Sequence, residues 1–260
     1  YHIFSKKPFV VKPKTTNYGL GISIFKEGAS FDDFKKALNI AFKEDSSVLI
    51  EEFMEGTEYR FFVLDDQVLA VLLRIPANVV GDGKHTIKEL VEEKNEDPLR
   101  GMDHRTPLET IQLGDLEILM LKAQGYNIDS IPKEGEIVYL RENSNISTGG
   151  DSIDVTDEIP DDYKKIAVEA TKALGVKICG IDLIIKATKV PATEKNAYGI
   201  IEANYNPCMY MHVYPYKGKS RRVTQNIIHY LFPELLQHQD PKLRKPGISI
   251  VGGKYTTVSQ

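Results

Sequence analysis

The sequence predicts an α+β protein built from two lobes, and three observations support that prediction. Residues 8–50 combine strand-like apolar runs with one amphipathic helical segment, which would form a small α+β lobe. An acidic segment at residues 51–56 interrupts the apolar pattern and looks like a hinge. Beyond it, two strand-like runs are separated only by Asp65 and Asp66, and so short a connection requires antiparallel pairing. A larger lobe with mainly antiparallel strands is therefore expected after the hinge.

The small lobe, residues 1–50, reads as strand, turn, strand, helix and strand. A polar, glycine-bearing turn at residues 14–21 separates the first two strands. Ser30 is placed to cap a helix that runs to about Lys43. The strands are expected at residues 8–13, 22–25 and 48–50, and the apolar face of the helix is expected to be Phe31, Phe34, Leu38 and Phe42.

The large lobe is expected over residues 51–240. Residues 84–130 are mostly polar and read as a helical insertion, in which Thr86 and Glu89 match a capping box. Residues 241–260 form a tail without an assigned structure. Strands are expected at residues 58–64, 67–75, 136–140, 181–185 and 199–204, and helices at residues 86–91, 115–124, 161–174 and 222–231.

The composition of the 260 residues excludes several classes of protein. A formal net charge of −4 arises from mixed acids and bases, so no overall field favours nucleic acid or an anionic membrane as a partner. Two cysteines without a Cys-x-x-Cys spacing argue against a disulfide scaffold or a zinc finger. No apolar run is long enough to span a bilayer, and residues 1–7 lack the apolar core of a secretion signal. A cytoplasmic location is expected.

Three residues with oxygen ligands stand on two strand-like runs near the end of the large lobe. Asp182 lies in one run, and Glu202 and Asn204 lie at the end of the next. Glu202 and Asn204 are two residues apart, so on a strand they point to the same face. A single acid on a strand is more often simply solvent-exposed, but three such residues together indicate a Mg²⁺ site that also carries nucleotide phosphates.

The first turn of the chain offers groups that bind phosphate. Lys12 ends the first strand, and the following loop presents backbone N–H groups, with glycines that let a ligand approach closely. An ordinary hairpin turn is the alternative, because the spacing matches neither the P-loop nor the dinucleotide-binding pattern. The candidate residues are Lys12, Thr15, Thr16, Asn17, Gly19 and Gly21.

The hinge can hold a flat heteroaromatic ring. The backbone of Glu51 and Glu52 offers donors and acceptors for the ring edge, and Phe53 and Met54 offer apolar contacts for its faces. Glu58 follows shortly and can bond ribose hydroxyls. A solvated acidic linker is the alternative interpretation.

Arginines on the later strands point to a second anionic partner. Arg74 stands in an apolar run, where an inward-facing arginine needs an anion. Arg141 opens a run rich in hydrogen-bonding side chains that ends in Gly149 and Gly150. This run is either a cradle for a carboxylate or a tetrahedral phosphate, or a plain surface loop.

Together these residues resemble the ATP-grasp superfamily of carboxylate–amine ligases. The resemblance follows Lys12, the loop to Gly21, residues 51–54, Glu58 and the oxygen ligands in that order along the chain, and it covers roughly residues 8–235. Two longer strings, GDGKHTIKEL at 81–90 and LRENSNISTGG at 140–150, are similar to the cyanophycin-synthetase-like branch. They are most similar to the ATP-grasp domain of bacterial bifunctional glutamate–cysteine ligase/glutathione synthetase.

The resemblance implies an ATP-grasp fold, in which the two lobes enclose an ATP cleft. Lys12 and the loop after it would hold the phosphates, Glu51 to Met54 the adenine, and Glu58 the ribose. Asp182, Glu202 and Asn204 would coordinate two Mg²⁺ ions, with Mn²⁺ as a substitute. Arg74 and Arg141 would face the transferring phosphoryl group as catalytic residues. The residues that would position the peptide substrate are Asn143, Asn145, Gly149, Gly150 and Cys208, the last through its backbone N–H at a position where related ligases carry glycine.

The reaction implied by the resemblance is peptide-bond formation through an acylphosphate. γ-Glutamylcysteine, glycine and ATP would yield glutathione, ADP and phosphate. Ligation of the cyanophycin or D-alanine type is the alternative within this enzyme class, and a non-catalytic ATP-binding module is the alternative outside it. Family members carry further segments before the Lys12 strand, so an upstream glutamate–cysteine ligase domain is expected in a longer chain. A homodimer is a separate expectation.

Overall fold

The computed structural model describes residues 1–15, 21–103, 105–141, 144–236, 248–251 and 254–257. The α-helices are α1 (Phe31–Glu44), α2 (Ile87–Asn95), α3 (Asp115–Ala123), α4 (Asp161–Ala173), α5 (Tyr210–Val213) and α6 (Val223–Leu231), with short 3-10 helices at Ile146–Thr148 and Pro233–Leu236. The strands are β1 (Phe9–Pro13), β2 (Ser23–Phe25), β3 (Val48–Glu52), β4 (Thr57–Leu64), β5 (Gln67–Ile75), β6 (Asn78–Val80), β7 (Arg100–Gly101), β8 (Leu108–Glu109), β9 (Ile137–Tyr139), β10 (Asp151–Asp154), β11 (Ile178–Ile185), β12 (Tyr198–Asn204), β13 (Ile248–Val251) and β14 (Lys254–Thr257).

The small lobe is a three-stranded antiparallel sheet covered by α1. The strand order is β2-β1-β3, so the strand that ends near Lys12 is the central one. Ser30 caps α1 as predicted, since its Oγ accepts the backbone N–H of Asp33 at 3.2 Å. Phe9, Val11 and Phe34 form the centre of the lobe's core.

The predicted apolar face of α1 is partly wrong. Phe34 is buried, but Phe31 and Phe42 are 54% and 53% exposed. The helix instead buries Ala37 and Ala41, whose small side chains let it lie close to the sheet. Phe31, at the first helical position, packs edge-on against Tyr1 with ring centroids 5.2 Å apart.

The large lobe is organised around a five-stranded antiparallel sheet in the order β10-β5-β4-β11-β12. Helix α4 packs on one face, where Phe61, Ile181, Leu183 and Tyr163 belong to one buried cluster. Side chains alternate between the two faces of a strand, so the residues between these apolar positions project from the opposite face. The predicted antiparallel pair β4–β5 is confirmed, and β11 and β12 also pair antiparallel.

The insertion contains two helices, but it is not mostly helical. Helices α2 and α3 lie where predicted, and Thr86 and Glu89 form the expected capping box. Between the helices the chain runs through loops and the two-residue parallel pair β7–β8, while β6 pairs with β9. Apolar contacts among α2, α3, β6 and β9 form a core separate from that of the large sheet, with Val79, Ile87, Leu121 and Val138 fully or almost fully buried. The polar composition of this stretch hid β7 and β8, whereas β9 lies within the strand predicted at residues 136–140.

The connection between the lobes is shorter than the predicted hinge. Glu51 and Glu52 belong to β3, so the linker is residues 53–56. Gly56 has a φ of +157°, and a Cβ on it would lie 2.6 Å from the carbonyl oxygen of Ile185. A glycine is required at that point because the linker backbone runs directly against β11.

Within the tail that the sequence left unassigned, β13 and β14 pair antiparallel. Helix α6 lies where predicted. Among the described residues, no helix combines the length and the apolarity that a bilayer crossing requires.

Candidate active site

A row of charged side chains crosses the middle of the large sheet. Antiparallel pairing sets Asp182 of β11 between Arg60 of β4 and Glu202 of β12. Paired residues on neighbouring strands share a face, so the three project from the face opposite α4. Arg74 of β5 shares this face, because Leu72 pairs with Arg60 and Arg74 follows two residues later. The sheet therefore brings together two predicted metal ligands and one predicted catalytic arginine.

Asp182 is the acceptor at the centre of this row. Its side chain is 2% exposed; Arg60 Nε donates to Oδ1, and Arg60 Nη2 donates to Oδ2 at 2.8 Å. Arg74 Nη2 lies 3.2 Å from the same Oδ2 and also pairs with Glu58. A buried carboxylate needs such partners, because an unpaired charge in the interior is strongly destabilising. Arg74 therefore finds anionic partners within the chain, and its contact with a phosphoryl group stays a prediction.

Arg60 was assigned no role by the sequence analysis. It packs over Gly180, where a Cβ would lie 3.4 Å from Cδ and Nη1 of Arg60 and 2.9 Å from Cβ of Pro207. Burial lowers the pKa of Arg60, but the hydrogen bonds and charge of Asp182 offset this, and the pKa is raised overall. Sequence spacing could only place Arg60 on the same face of β4 as Glu58, two residues earlier.

Asn204 completes the group at the end of β12. Its Nδ2 lies 3.5 Å from Asp182 Oδ2. With the amide turned by 180°, Nδ2 donates to Glu202 Oε1 at 3.2 Å and Oδ1 accepts from Arg60 Nη2 at 3.2 Å. The three predicted oxygen ligands are therefore adjacent in the structure.

This donor set suits a hard divalent cation. Two carboxylates and an amide oxygen are ligands that Mg²⁺ accepts, and Mg²⁺ takes only a few protein ligands when it also binds phosphates. Within the described part of the chain, no cluster of three or more His, Cys, Asp and Glu residues is arranged to hold a metal, so the amide of Asn204 is needed to complete the set. Glu202 is exposed and accessible, whereas Asp182 would have to exchange guanidinium partners for the cation.

His212 is a fully buried residue that sequence reasoning left without a role. Its ring packs edge-on against Phe62 at a centroid distance of 5.3 Å, and neither ring nitrogen has a hydrogen-bond partner among the described residues. Burial, followed by the positive charge of Arg60, lowers the pKa of His212 to about 3. The imidazole is therefore neutral at neutral pH. Nothing in the sequence signalled this, since the histidines form no ligand-spaced pattern.

The predicted phosphate-binding loop lies only partly within the described residues. Lys12 pairs with Glu51, with Nζ 2.6 Å from Oε2, and its side chain remains 22% exposed. Thr15 donates its backbone N–H to Asp45 Oδ2 at 2.8 Å. Gly21 has a φ of +76°, which only glycine adopts readily. Thr16, Asn17 and Gly19 fall outside the described residues.

Replacing Lys12 tests the phosphate role of this strand. We expect Lys12→Met to raise the KM for ATP about tenfold or more, because a charge-assisted hydrogen bond contributes about 1.5–3 kcal/mol. Lys43→Met, at an exposed side chain in the last turn of α1, is the matched control and should leave the KM near the wild-type value. Equal ATP kinetics for the two variants would remove Lys12 from the nucleotide site.

The predicted adenine segment spans β3 and the linker. Glu51 and Glu52 have exposed side chains. The backbone N–H of Phe53 donates to the Pro8 carbonyl at 3.1 Å, so this donor is already used. Met54 lies against Gly199, where a Cβ would be 2.1 Å from the Met54 sulfur. Binding of a ring here stays a prediction.

Glu58, the predicted ribose ligand, faces the arginine cluster. It pairs with Arg74, and its Oε2 accepts Ser144 Oγ at 3.2 Å. The ion pair with Arg74 thus holds the Glu58 side chain against β5, while 32% of that side chain remains exposed. Its contact with a ribose stays a prediction.

Arg141 is occupied by a partner inside the insertion. Its Nε donates to Oε1 of Glu117 at 2.5 Å, and Glu117 is 3% exposed. Glu117 also accepts the backbone N–H of Gly114 at the start of α3. The sequence could not reveal this pair, because 24 residues separate the two side chains. The proposed contact between Arg141 and phosphate stays a prediction.

The predicted substrate-positioning residues gather beside the insertion. Asn145 begins a 3-10 turn, and its carbonyl accepts the N–H of Gly150 at 3.2 Å. Cys208 is half-buried against an apolar cluster that includes Leu72. Burial, and then a hydrogen bond with Cys208, raises the pKa of Tyr210. Asn143 falls outside the described residues.

Comparison with known proteins finds relatives that are similar over most of this chain. A family model described as the C-terminus of D-ala D-ala ligase matches residues 4–93. The glutathione biosynthesis bifunctional protein GshAB of Enterococcus faecalis is 66% identical over 235 residues, which is 90% of this chain and 31% of that protein. The GshAB protein of Pasteurella multocida is 60% identical over 237 residues, again 90% of this chain and 31% of the relative.

A solved structure supports the fold. The crystal structure of a bifunctional glutathione synthetase from Pasteurella multocida matches with a TM-score of 0.70 and 59% identity, covering 90% of this chain and 32% of that one. The predicted α+β, ATP-grasp architecture is confirmed. The chain spans about a third of the length of the relatives it matches.

Proposed function

We propose that this chain, which belongs to the ATP-grasp ligase family, joins γ-glutamylcysteine to glycine with ATP and releases glutathione, ADP and phosphate. The observation that carries the proposal is the charged row on the large sheet. Two fixed guanidinium groups, two carboxylates and an amide converge on one face, close to where β3 and the linker lead from the small lobe. Such an arrangement suits phosphoryl transfer, in which catalysis rests on positioning and charge stabilisation.

The proposed reaction has two steps. A carboxylate oxygen of γ-glutamylcysteine attacks the γ-phosphorus of ATP, the bond to the bridging oxygen breaks, and ADP leaves. The glycine amine then attacks the acyl carbon of the acylphosphate, phosphate leaves, and the amine loses a proton. The guanidinium groups of Arg60 and Arg74 lie beside Asp182 and would stabilise negative charge on the phosphates. Lys12 would bind phosphate from the small lobe, and Arg141 would contribute if it exchanges Glu117 for the substrate.

ATP-grasp ligases use ATP and Mg²⁺, and the donor set of this chain fits that cation. Asp182, Glu202 and Asn204 would hold it, and the bound ion would offset phosphate charge. Two ions, and substitution by Mn²⁺, are part of the proposal.

The organisation of the whole protein is also proposed. Residues 1–50 would close over the nucleotide, residues 51–240 would hold metal and substrate, and an upstream glutamate–cysteine ligase domain would supply the dipeptide. The names of the relatives and their greater length support that link. A homodimer, a cytoplasmic location and small-molecule substrates without nucleic acid or membrane complete the proposal.

ADP release in the full-length protein tests the substrate assignment. With saturating ATP and Mg²⁺, release should require both γ-glutamylcysteine and glycine. Release only with poly-aspartate and arginine, or with two D-alanines, would assign a different ligase. Calorimetric binding of Mg·ATP without release for any acid–amine pair would identify a non-catalytic module.

A further inference from the structure

A buried ionic cluster joins the insertion to the start of β10. The Asp151 carboxylate accepts Lys94 Nζ at 2.7 Å and Asn78 Nδ2 at 3.2 Å, and it pairs with Arg100. Lys94 comes from α2 and Arg100 from β7, so both cations belong to the insertion. The Tyr216 ring packs over them, with the Arg100 guanidinium carbon 5.6 Å from its centroid. The cluster anchors the residue that directly follows Gly149 and Gly150.

Arg100 also bonds the backbone of the segment before Asp151. We call residues 145–150 the glycine loop. The Arg100 side chain is fully buried, and its Nη1 donates to the Gly149 carbonyl at 3.0 Å and to the Glu109 carbonyl at 2.8 Å. One guanidinium therefore fixes the glycine loop, β8 and Asp151 together.

Ile111 packs directly against the glycine loop. Gly149 has a φ of +90°, and a Cβ on it would lie 2.8 Å from Ile111 Cγ1. Asn95, the last residue of α2, holds Ile111 through both of its backbone groups: Asn95 Nδ2 donates to the Ile111 carbonyl at 2.9 Å, and the Ile111 N–H donates to Asn95 Oδ1 at 2.8 Å. The insertion thus holds Ile111 so close to residue 149 that only a glycine fits at that position.

The glycine loop also packs against β5 of the large sheet. A Cβ on Gly150 would lie 2.8 Å from the carbonyl of Ile75, the residue after Arg74. Ser152, two residues beyond the loop, pairs with Arg74 in the β5–β10 ladder. The glycine loop is therefore held between the insertion and the strand that carries Arg74.

We propose that the insertion shapes the glycine loop for the peptide acid substrate, and that Arg100 and Asn95 are its positioning residues. The inference rests on the proposed function, since it concerns the dipeptide that the ligase would activate. Neither side chain needs to touch the substrate. Each fixes the backbone conformation of the loop that would receive the peptide, so loosening either should weaken peptide binding and leave the ATP site unaffected.

Steady-state kinetics of full-length Arg100→Lys and Asn95→Asp variants test this role. Lysine keeps the charge beside Asp151 but lacks the planar guanidinium that reaches two carbonyls and a carboxylate from separate nitrogens, and aspartate cannot donate to the Ile111 carbonyl. We expect at least a tenfold rise in the KM for γ-glutamylcysteine, with the KM for ATP unchanged within twofold. The KM for γ-glutamylcysteine should rise more in Arg100→Met than in Arg100→Lys. Glu92→Gln is the control, because Glu92 is exposed on α2, the helix that ends with Asn95. This variant should leave both KM values near those of the wild type.

Hydrogen exchange provides a readout that is independent of the substrate. Amides of residues 145–150 should exchange faster in Asn95→Asp than in wild type, while those of β11 should be unchanged. An unchanged peptide KM, equal rises in both KM values, or unchanged loop exchange would overturn the inference. Absence of wild-type turnover with γ-glutamylcysteine would instead count against the proposed function, and the exchange measurement would still decide the role of Asn95.

Discussion

Glu202→Gln should lower the turnover number by about 10²–10³-fold while leaving the stability of the fold near the wild-type value. Glu202 is exposed and paired across the ladder from Asp182, so its carboxylate is available to a cation but contributes little to the core. The amide of glutamine keeps the shape and removes the negative charge that a magnesium ligand supplies. The measurement is kcat at saturating Mg·ATP, together with a thermal melt.

Glu194→Gln is the matched control, because it makes the same change at an exposed position between β11 and β12. It should retain full activity. A Glu202→Gln protein with kcat within threefold of wild type would show that the metal site has been misassigned.

Arg60→Met should destabilise the large sheet by about 3–5 kcal/mol in the absence of nucleotide and metal. The substitution leaves the buried Asp182 carboxylate with Arg74 as its remaining ion-pair partner, 3.2 Å away. Because a bound cation would supply the missing positive charge, Mg·ATP should recover a large part of this loss. Native-state hydrogen exchange of the β4 and β11 amides measures the change locally.

The double variant Arg60→Met/Asp182→Leu provides the control. Removing both charges should cost less than removing Arg60 alone, since no carboxylate is then left buried with a lost partner. A loss below 1 kcal/mol in the single variant, or no recovery with Mg·ATP, would contradict the role given to Asp182.

The sequence was sufficient where local patterns decide structure. Apolar runs predicted strands where β11 and β12 lie, and the position of Glu202 and Asn204 on one face followed from their spacing. The helix caps at Ser30 and Thr86 could be predicted because each depends on residues only three positions apart.

Contacts between distant residues were not predictable in the same way. Arg60 and Asp182 are 122 residues apart, and nothing local shows that β4 and β11 pair. The partner of Arg141 was hidden for the same reason. The apolar face of α1 was misjudged because large aromatic residues matched helical spacing, whereas the sheet accepted Ala37 and Ala41.

Isotope transfer tests the central claim, that this chain activates a carboxylate with ATP. γ-Glutamylcysteine labelled with ¹⁸O in its cysteinyl carboxylate is turned over with ATP, Mg²⁺ and glycine by the full-length protein, and the released phosphate is analysed by mass spectrometry. The proposed acylphosphate predicts one ¹⁸O atom in each phosphate formed. Phosphate that carries only oxygen from ATP and solvent water would contradict a ligase and indicate simple hydrolysis.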